Sequence, residues 1–258
     1  MIKTLSLILC CITLPLLAQE SAAQQPPAAA ENTGANASIL RAASGSYAYR
    51  AKDGRARGEE RFQMLVHADG SRSLLMWHDL FARNAQFTVA LRVAADFRPV
   101  EAYASYWNGG AYKGASLIRV AGKHLSVSFG GPAGQIDQTI DVPAVFSLGT
   151  HPVAGDGWHV AGLDAKVTGA QTLSLASVEA STDINRPMLV TVVPLQVERM
   201  GSERITVAAG TFDTTHYRLA GVNDIWVLDD DLIVVKSVST TRGLEYELTT
   251  LTQSRGHL

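Results

Sequence analysis

The stretch RFQMLVHADGSRSLLMWHDL, residues 61–80, decides the fold. Two runs in which apolar and polar residues alternate, RFQMLVHA and SRSLLMWHDL, flank Asp69-Gly70. In an extended chain successive side chains point to opposite faces, so such alternation buries one set and leaves the other in water. Asp-Gly between two runs of this kind signals a tight hairpin, whose central residues are expected to need positive φ. The segment predicts two antiparallel strands joined at Asp69-Gly70.

The same pattern extends outward. GSYAYRA (45–51) precedes the turn residues Asp53 and Gly54, and AQFTVALRVA, PVEAYASYW, GASLIRVA and HLSVSF follow, punctuated by Gly109-Gly110 and Gly130-Gly131. Further on come MLVTVVPLQVERM, ERITVAAG, TFDTTHYRLAG, DIWVLDD, LIVVKSVST and LEYELTTLT. Helical periodicity is weak, with short helical turns expected only near residues 77–85 and 161–170. Many short strands with turn signals between them predict an all-β fold, an antiparallel β-barrel or a strongly curved half-barrel with few short helices. There is no βαβ alternation, no glycine-rich loop opening a helix and no P-loop, so nucleotide chemistry on those scaffolds is excluded and no cofactor is expected.

The first residues, MIKTLSLILCCITLPLLAQESAAQ, combine a basic start at Lys3 with an apolar run and small residues after it. That is the layout of a secretory signal peptide over residues 1–23, too short for a comfortable membrane span. Leu9 before Cys10 argues against lipidation. Residues 24–38, QQPPAAAENTGANAS, read as a flexible spacer, and residues 39–258 as a single domain. Both cysteines, Cys10 and Cys11, fall inside the leader, so a processed chain would have no disulfide and no thiolate. The expected location is the periplasm. With 22 Lys and Arg against 24 Asp and Glu, the net charge is −2 and no basic stripe forms, so nucleic acid is not an expected partner. No membrane span is expected after signal removal.

Residues 202–251 carry a more specific pattern: an Ala209-Gly210-Thr211-Phe212 turn, Tyr217, Trp226, an acidic turn at Asp229 to Asp231, then Val234-Val235-Lys236. This segment resembles the C-terminal part of exported bacterial proteins of the DUF3108-like type. The resemblance covers about a fifth of the chain and implies a periplasmic β-barrel-like fold, loosely comparable to lipocalins and to lipoprotein or lipid carriers. That family has no general assigned activity, so the resemblance implies no functional residue. On their own geometry the three aspartates read as a solvated hairpin turn and not a calcium site, because consecutive residues point in different directions.

The densest set of reactive groups is FSLGTHPVAGDGWHV, residues 146–160. His151, Asp156 and His159 fit acid–base work in which Asp156 orients one imidazole, or a zinc or iron site. Pro152, Gly155 and Gly157 exclude a regular helix, so the helical metal-site spacing does not apply and the segment reads as a long loop. Its plain structural reading has Asp156 capping a turn, Trp158 packed inward and the histidines in water. His78 and Asp79 are sequence neighbours and point to opposite faces of a strand, so only one can face a pocket. Glu101, Tyr103, Ser105 and Trp107 share one face, with Tyr112 after the turn. Tyr103, Trp107 and Tyr112, with His78, Tyr217 and Trp226, are the candidate lining of a ligand cavity. The function expected from these readings is binding or carriage of a hydrophobic, lipid-like or aromatic small molecule. The alternative is a cofactor-free lyase, isomerase or hydrolase centred on His151, Asp156 and His159.

Overall fold

A computed structural model describes residues 39–228, 230–239 and 241–255. The leader and spacer expected over residues 1–38 lie outside the described residues. Among the described residues the chain forms one sheet of 15 strands. The first eight are β1 (Ile39–Ala51), β2 (Ala56–His67), β3 (Arg72–Leu80), β4 (Ala85–Val93), β5 (Pro99–Asn108), β6 (Ala111–Ala121), β7 (His124–Gly131) and β8 (Gly134–Asp141). The others are β9 (Ser147–Gly149), β10 (Gln171–Val178), β11 (Val190–Val207), β12 (Gly210–Leu219), β13 (Asn223–Leu228), β14 (Ile233–Ser239) and β15 (Leu244–Arg255). A 3-10 turn (Phe81–Arg83) joins β3 to β4, and a 3-10 helix (Val153–Val160), here the plug helix, follows β9.

The two halves are meanders that meet where β1 pairs with β15, giving the order β8 to β1 and then β15 to β9. Each neighbouring pair runs antiparallel except β9 with β10, which is parallel. The hairpin expected at Asp69-Gly70 is present, with Val66 opposite Arg72. Its turn differs in one respect: Gly70 takes positive φ (80°), whereas Asp69 does not. The Asp69 carboxylate accepts from the Ser71 amide at 2.9 Å and from its hydroxyl at 2.6 Å. The His67 carbonyl accepts from Gly70, which makes this a type I turn with a glycine bulge instead of the two-residue mirror-image turn.

Alternation assigns the inner face. Phe62, Met64 and Val66 of β2, Leu74 and Met76 of β3, and Phe87, Val89 and Leu91 of β4 are all buried. Each such side chain contributes about 1.5–3 kcal/mol relative to exposure. The sheet is curved enough to cover its own inner face. Asp231, at the β13–β14 turn, accepts from Arg41 of β1 and Arg72 of β3, and the Tyr47 hydroxyl of β1 donates to the Val234 carbonyl of β14. Farther round, side chains of β6 and β8 reach across to the chain that enters β11. The Gln138 amide of β8 both donates to and accepts from the backbone of Val190 in β11, at 2.9 Å each way, and Ser116 of β6 donates to the Met188 carbonyl. Gln138 thus acts as a peptide surrogate where no backbone ladder joins β8 to β11, and the barrel-like sheet stays open.

Two local expectations are corrected. The helical turn expected over 77–85 is confined to Phe81–Arg83, and that expected over 161–170 lies instead at Val153–Val160. Asp231 is not solvated: it is buried, with Arg72 paired to it at 3.0 Å and itself lying under the Phe97 ring at 4.0 Å. Burial works against its charge, but hydrogen bonds from Arg41 and Arg72 outweigh that and hold the carboxyl below its ordinary range. Its backbone carbonyl also accepts from the Trp158 indole at 3.1 Å, which ties the plug helix to the β13–β14 turn.

Candidate functional site

The segment 146–160 is a buried plug and not a loop. Pro152 is extended, and the chain then turns with i to i+3 hydrogen bonds, Gly155 to Pro152 and Ala161 to Trp158. Such bonds make a 3-10 helix, which Pro152, Gly155 and Gly157 tolerate better than an α-helix. Gly157 is required by packing, since a Cβ there would lie 1.8 Å from the Leu232 carbonyl oxygen. Of the eight helical residues, only Asp156 is not fully buried.

No residue of the segment caps the helix through its side chain. The orphan amides of Val153 and Ala154 instead donate to Glu60 of β2, at 2.8 and 2.9 Å, and the Tyr49 hydroxyl donates to the same carboxylate. Glu60 is fully buried. Burial pushes its carboxyl up to about 7 despite the hydrogen bonds from Tyr49, Ala154 and Val153 that favour the charged form. Glu60 was not singled out in the sequence. Its signal was its phase with Phe62, Met64 and Val66.

Before the helix, His151 takes φ of 84°, a conformation unusual for a residue with a Cβ. This turn drives its ring flat onto Phe87 at 4.4 Å, and Phe87 stacks in turn on Tyr106 at 3.9 Å. His78 lies 5.1 Å from the His151 ring and edge-on to Tyr49 at 4.5 Å, with Tyr246 beyond at 4.3 Å. Neither ring nitrogen of His78 has a hydrogen-bond partner, nor does His151 Nδ1. Burial, reinforced by the neighbouring His151 and Arg83, pulls the His78 imidazole down to about 2. Burial, with Arg83 and Arg242, pulls His151 down to about 4. Both rings are therefore neutral at physiological pH.

These groups border a cavity of about 230 Å³ between the plug helix and both halves of the sheet. Leu80, Leu175, Val178, Leu195, Leu219 and Leu244 provide much of its wall, and Arg57, Arg83 and Arg242 stand among its lining residues. The structure thus brings together four of the sequence candidates, His78, His151, Asp156 and His159, all of which line this cavity. Asp156 and His159 form a pair, Oδ1 to Nε2 at 3.4 Å, while His159 Nδ1 has no partner. The metal alternative is not supported, because among the described residues no three His, Cys, Asp or Glu side chains are placed to hold an ion.

The aromatic candidates separate from this site. Tyr103, Trp107 and Tyr112 are exposed and lie on the outer face, where Trp107 and Tyr112 meet at 5.1 Å. The inward residues of β5 are Ala102, Ala104 and Tyr106. Trp226 also faces outward, stacked on His216 at 4.3 Å and donating to Glu203 at 2.7 Å. Tyr217 packs against the core margin and is not part of the cavity lining. Besides Glu60, sequence reasoning missed Tyr49, Tyr246 and Arg242, which arrive from β1, from β15 and from just before it.

Fold and site define an all-β protein with a strongly curved open sheet around a plugged cavity. No known protein family matches the chain, and no curated protein does. Among solved structures it is similar to a β-barrel-like protein of the domain of unknown function DUF1849 from Brucella abortus, with 10% identity and a TM-score of 0.46 over 84% of this chain and 98% of that one. It is also similar to a DUF1089 family protein from Pseudomonas aeruginosa, with 11% identity and a TM-score of 0.41 over 68% of this chain and 87% of that one. No helix among the described residues is long and apolar enough to cross a membrane.

Proposed function

We propose that this is an exported protein that binds or carries a small hydrophobic molecule in the cavity beneath the plug helix. The observation that carries this reading is the cavity itself, about 230 Å³, walled by leucines and valines from both halves of the sheet and floored by aromatic rings. At roughly 30 Å³ per water-sized group, it takes a body of roughly eight such groups, on the scale of an octyl chain. Neutral imidazoles suit such a ligand, since a charged floor would repel apolar surface. The signal-peptide layout of residues 1–23 supports export to the periplasm.

Calorimetric titration with 1-octanol tests the reading. The wild type is expected to bind one equivalent, and Leu219→Trp, which fills the cavity, to lose that binding while remaining folded. No binding to the wild type, or equal binding to both, overturns it. One observation favours the second reading, a cofactor-free lyase, isomerase or hydrolase. His159 Nε2 lies 3.4 Å from Asp156 Oδ1 at the cavity wall, the arrangement of an imidazole base oriented by a carboxylate. That reading requires His159→Ala to cost about 10² or more in turnover, whereas carriage requires octanol binding to survive the same substitution.

A further inference from the structure

The cavity carries more polar capacity than an apolar molecule would use. His78 is 2% exposed with both ring nitrogens unpaired. His151 Nδ1, His159 Nδ1 and Asn223 Oδ1 are also buried without partners, and all four residues line the same space. Buried polar groups are normally hydrogen-bonded, so a cluster of unpaired ones at a cavity wall marks where a bound molecule supplies the missing partners.

The charges around this cluster are uneven. Arg57, Arg83 and Arg242 line the cavity, and none makes an ion pair with a carboxylate among the described residues. Arg83 and Arg242 are exposed, which places them where the cavity opens, yet their field reaches the buried rings and helps keep His151 and His78 neutral. The one carboxylate in the lining, Asp156, is paired with His159. Glu60, another buried carboxylate, accepts from the amides of the plug helix and does not line the cavity. Guanidinium groups without a carboxylate partner at a mouth, above neutral imidazoles that can donate N–H, are the donor set for an anionic oxygen group.

We propose that the ligand is a small amphiphilic anion, an apolar chain ending in a carboxylate-like head held by Arg83 and Arg242 beside the His78–His151 pair. The tail lies against Leu175, Leu195 and Leu219. The head stays at the arginine end, where water and the two guanidinium groups share its solvation, so the anion keeps its charge. This deepens the proposed function and rests on its cavity.

The test uses octanoate and 1-octanol, which share a chain and differ in the head. By calorimetry at low salt, the protein is expected to bind octanoate at least about tenfold more tightly than octanol, on the scale of one charge-assisted hydrogen bond. Arg83→Gln with Arg242→Gln is expected to bring octanoate down to the level of octanol and leave octanol unchanged. Raising salt is expected to weaken octanoate alone. Because both arginines are exposed, loss of the fold does not confuse the result, and unchanged octanol binding confirms an intact cavity. Octanol bound as tightly as octanoate, or octanoate indifferent to the double substitution, overturns the anionic head and leaves the cavity reading intact. Failure of both ligands overturns the two together.

Discussion

Replacing Glu60 by glutamine isolates the group on which the plug helix depends. Glu60 is buried with no cation beside it and accepts the two N-terminal amides of the helix. Its folded carboxyl holds its proton up to about 7, against 4.5 when free. That difference corresponds to about 3 kcal/mol of stability. Because the folded value is the higher one, this stability is fully present below 4.5 and is lost as pH rises through 7. Glutamine has no such dependence. It keeps one acceptor oxygen and offers the second amide an NH2 group, a pH-independent cost of about 1–3 kcal/mol. Urea unfolding of both proteins, followed by tryptophan fluorescence from pH 4 to 8, gives the stability difference at each pH. Every other titrating group is shared and cancels. The difference is expected to move by about 3 kcal/mol in favour of Glu60→Gln across that range, with most of the change between 4.5 and 7. A difference that stays flat from pH 4 to 8 refutes the buried, uncompensated carboxylate.

Other outcomes follow from the same geometry. His78 and His151 are held down to about 2 and about 4, so the unfolded chain takes up protons that the folded one refuses; stability is expected to fall as pH drops below 6.5, and His78→Phe to reduce that slope in the same urea series. Asp231→Asn leaves the buried Arg72 guanidinium without its carboxylate and is expected to cost about 3–5 kcal/mol by urea unfolding, whereas Arg41→Gln, at the more exposed end, costs less. Gly157→Ala places a Cβ against the Leu232 carbonyl and is expected to dislodge the plug helix, with loss of Trp158 near-UV circular dichroism. Gly155→Ala, whose nearest contact is Met76 Sδ at 3.8 Å, is expected to leave that signal unchanged.

The curved sheet was legible because its cause is local. RFQMLVHADGSRSLLMWHDL states strand, turn and strand in consecutive residues, and the alternation of apolar positions runs on through β4 and β5. Which face turns inward on β5 was harder to read. Tyr103 and Trp107 share one side, and the sequence reading placed these larger aromatics in the cavity. The curved sheet instead buries Ala102 and Ala104, leaving room for Tyr106 to stack on Phe87. Pro152, Gly155 and Gly157 were taken to exclude a regular helix; they permit a 3-10 helix, and its burial rests on distant groups. The amides of Val153 and Ala154 need Glu60, and Trp158 needs the Asp231 carbonyl. Asp231 looked solvated for the same reason, since its partners Arg41 and Arg72 come from the opposite end of the chain. His151, Asp156 and His159 were read as one centre and His78 as part of a separate ligand lining. What joins them into one cavity is the pairing of β1 with β15, which no stretch of sequence announces.

The central claim is that an apolar ligand enters the space floored by His78 and His151. Histidine-selective nitrogen NMR during titration with 1-octanol reads that space directly, because His124 and His216, which do not line the cavity, serve as internal controls. The account predicts saturable shifts of the His78 and His151 ring nitrogens, with those of His124 and His216 unmoved. Shifts confined to His124 and His216, or none at saturating octanol, would contradict it.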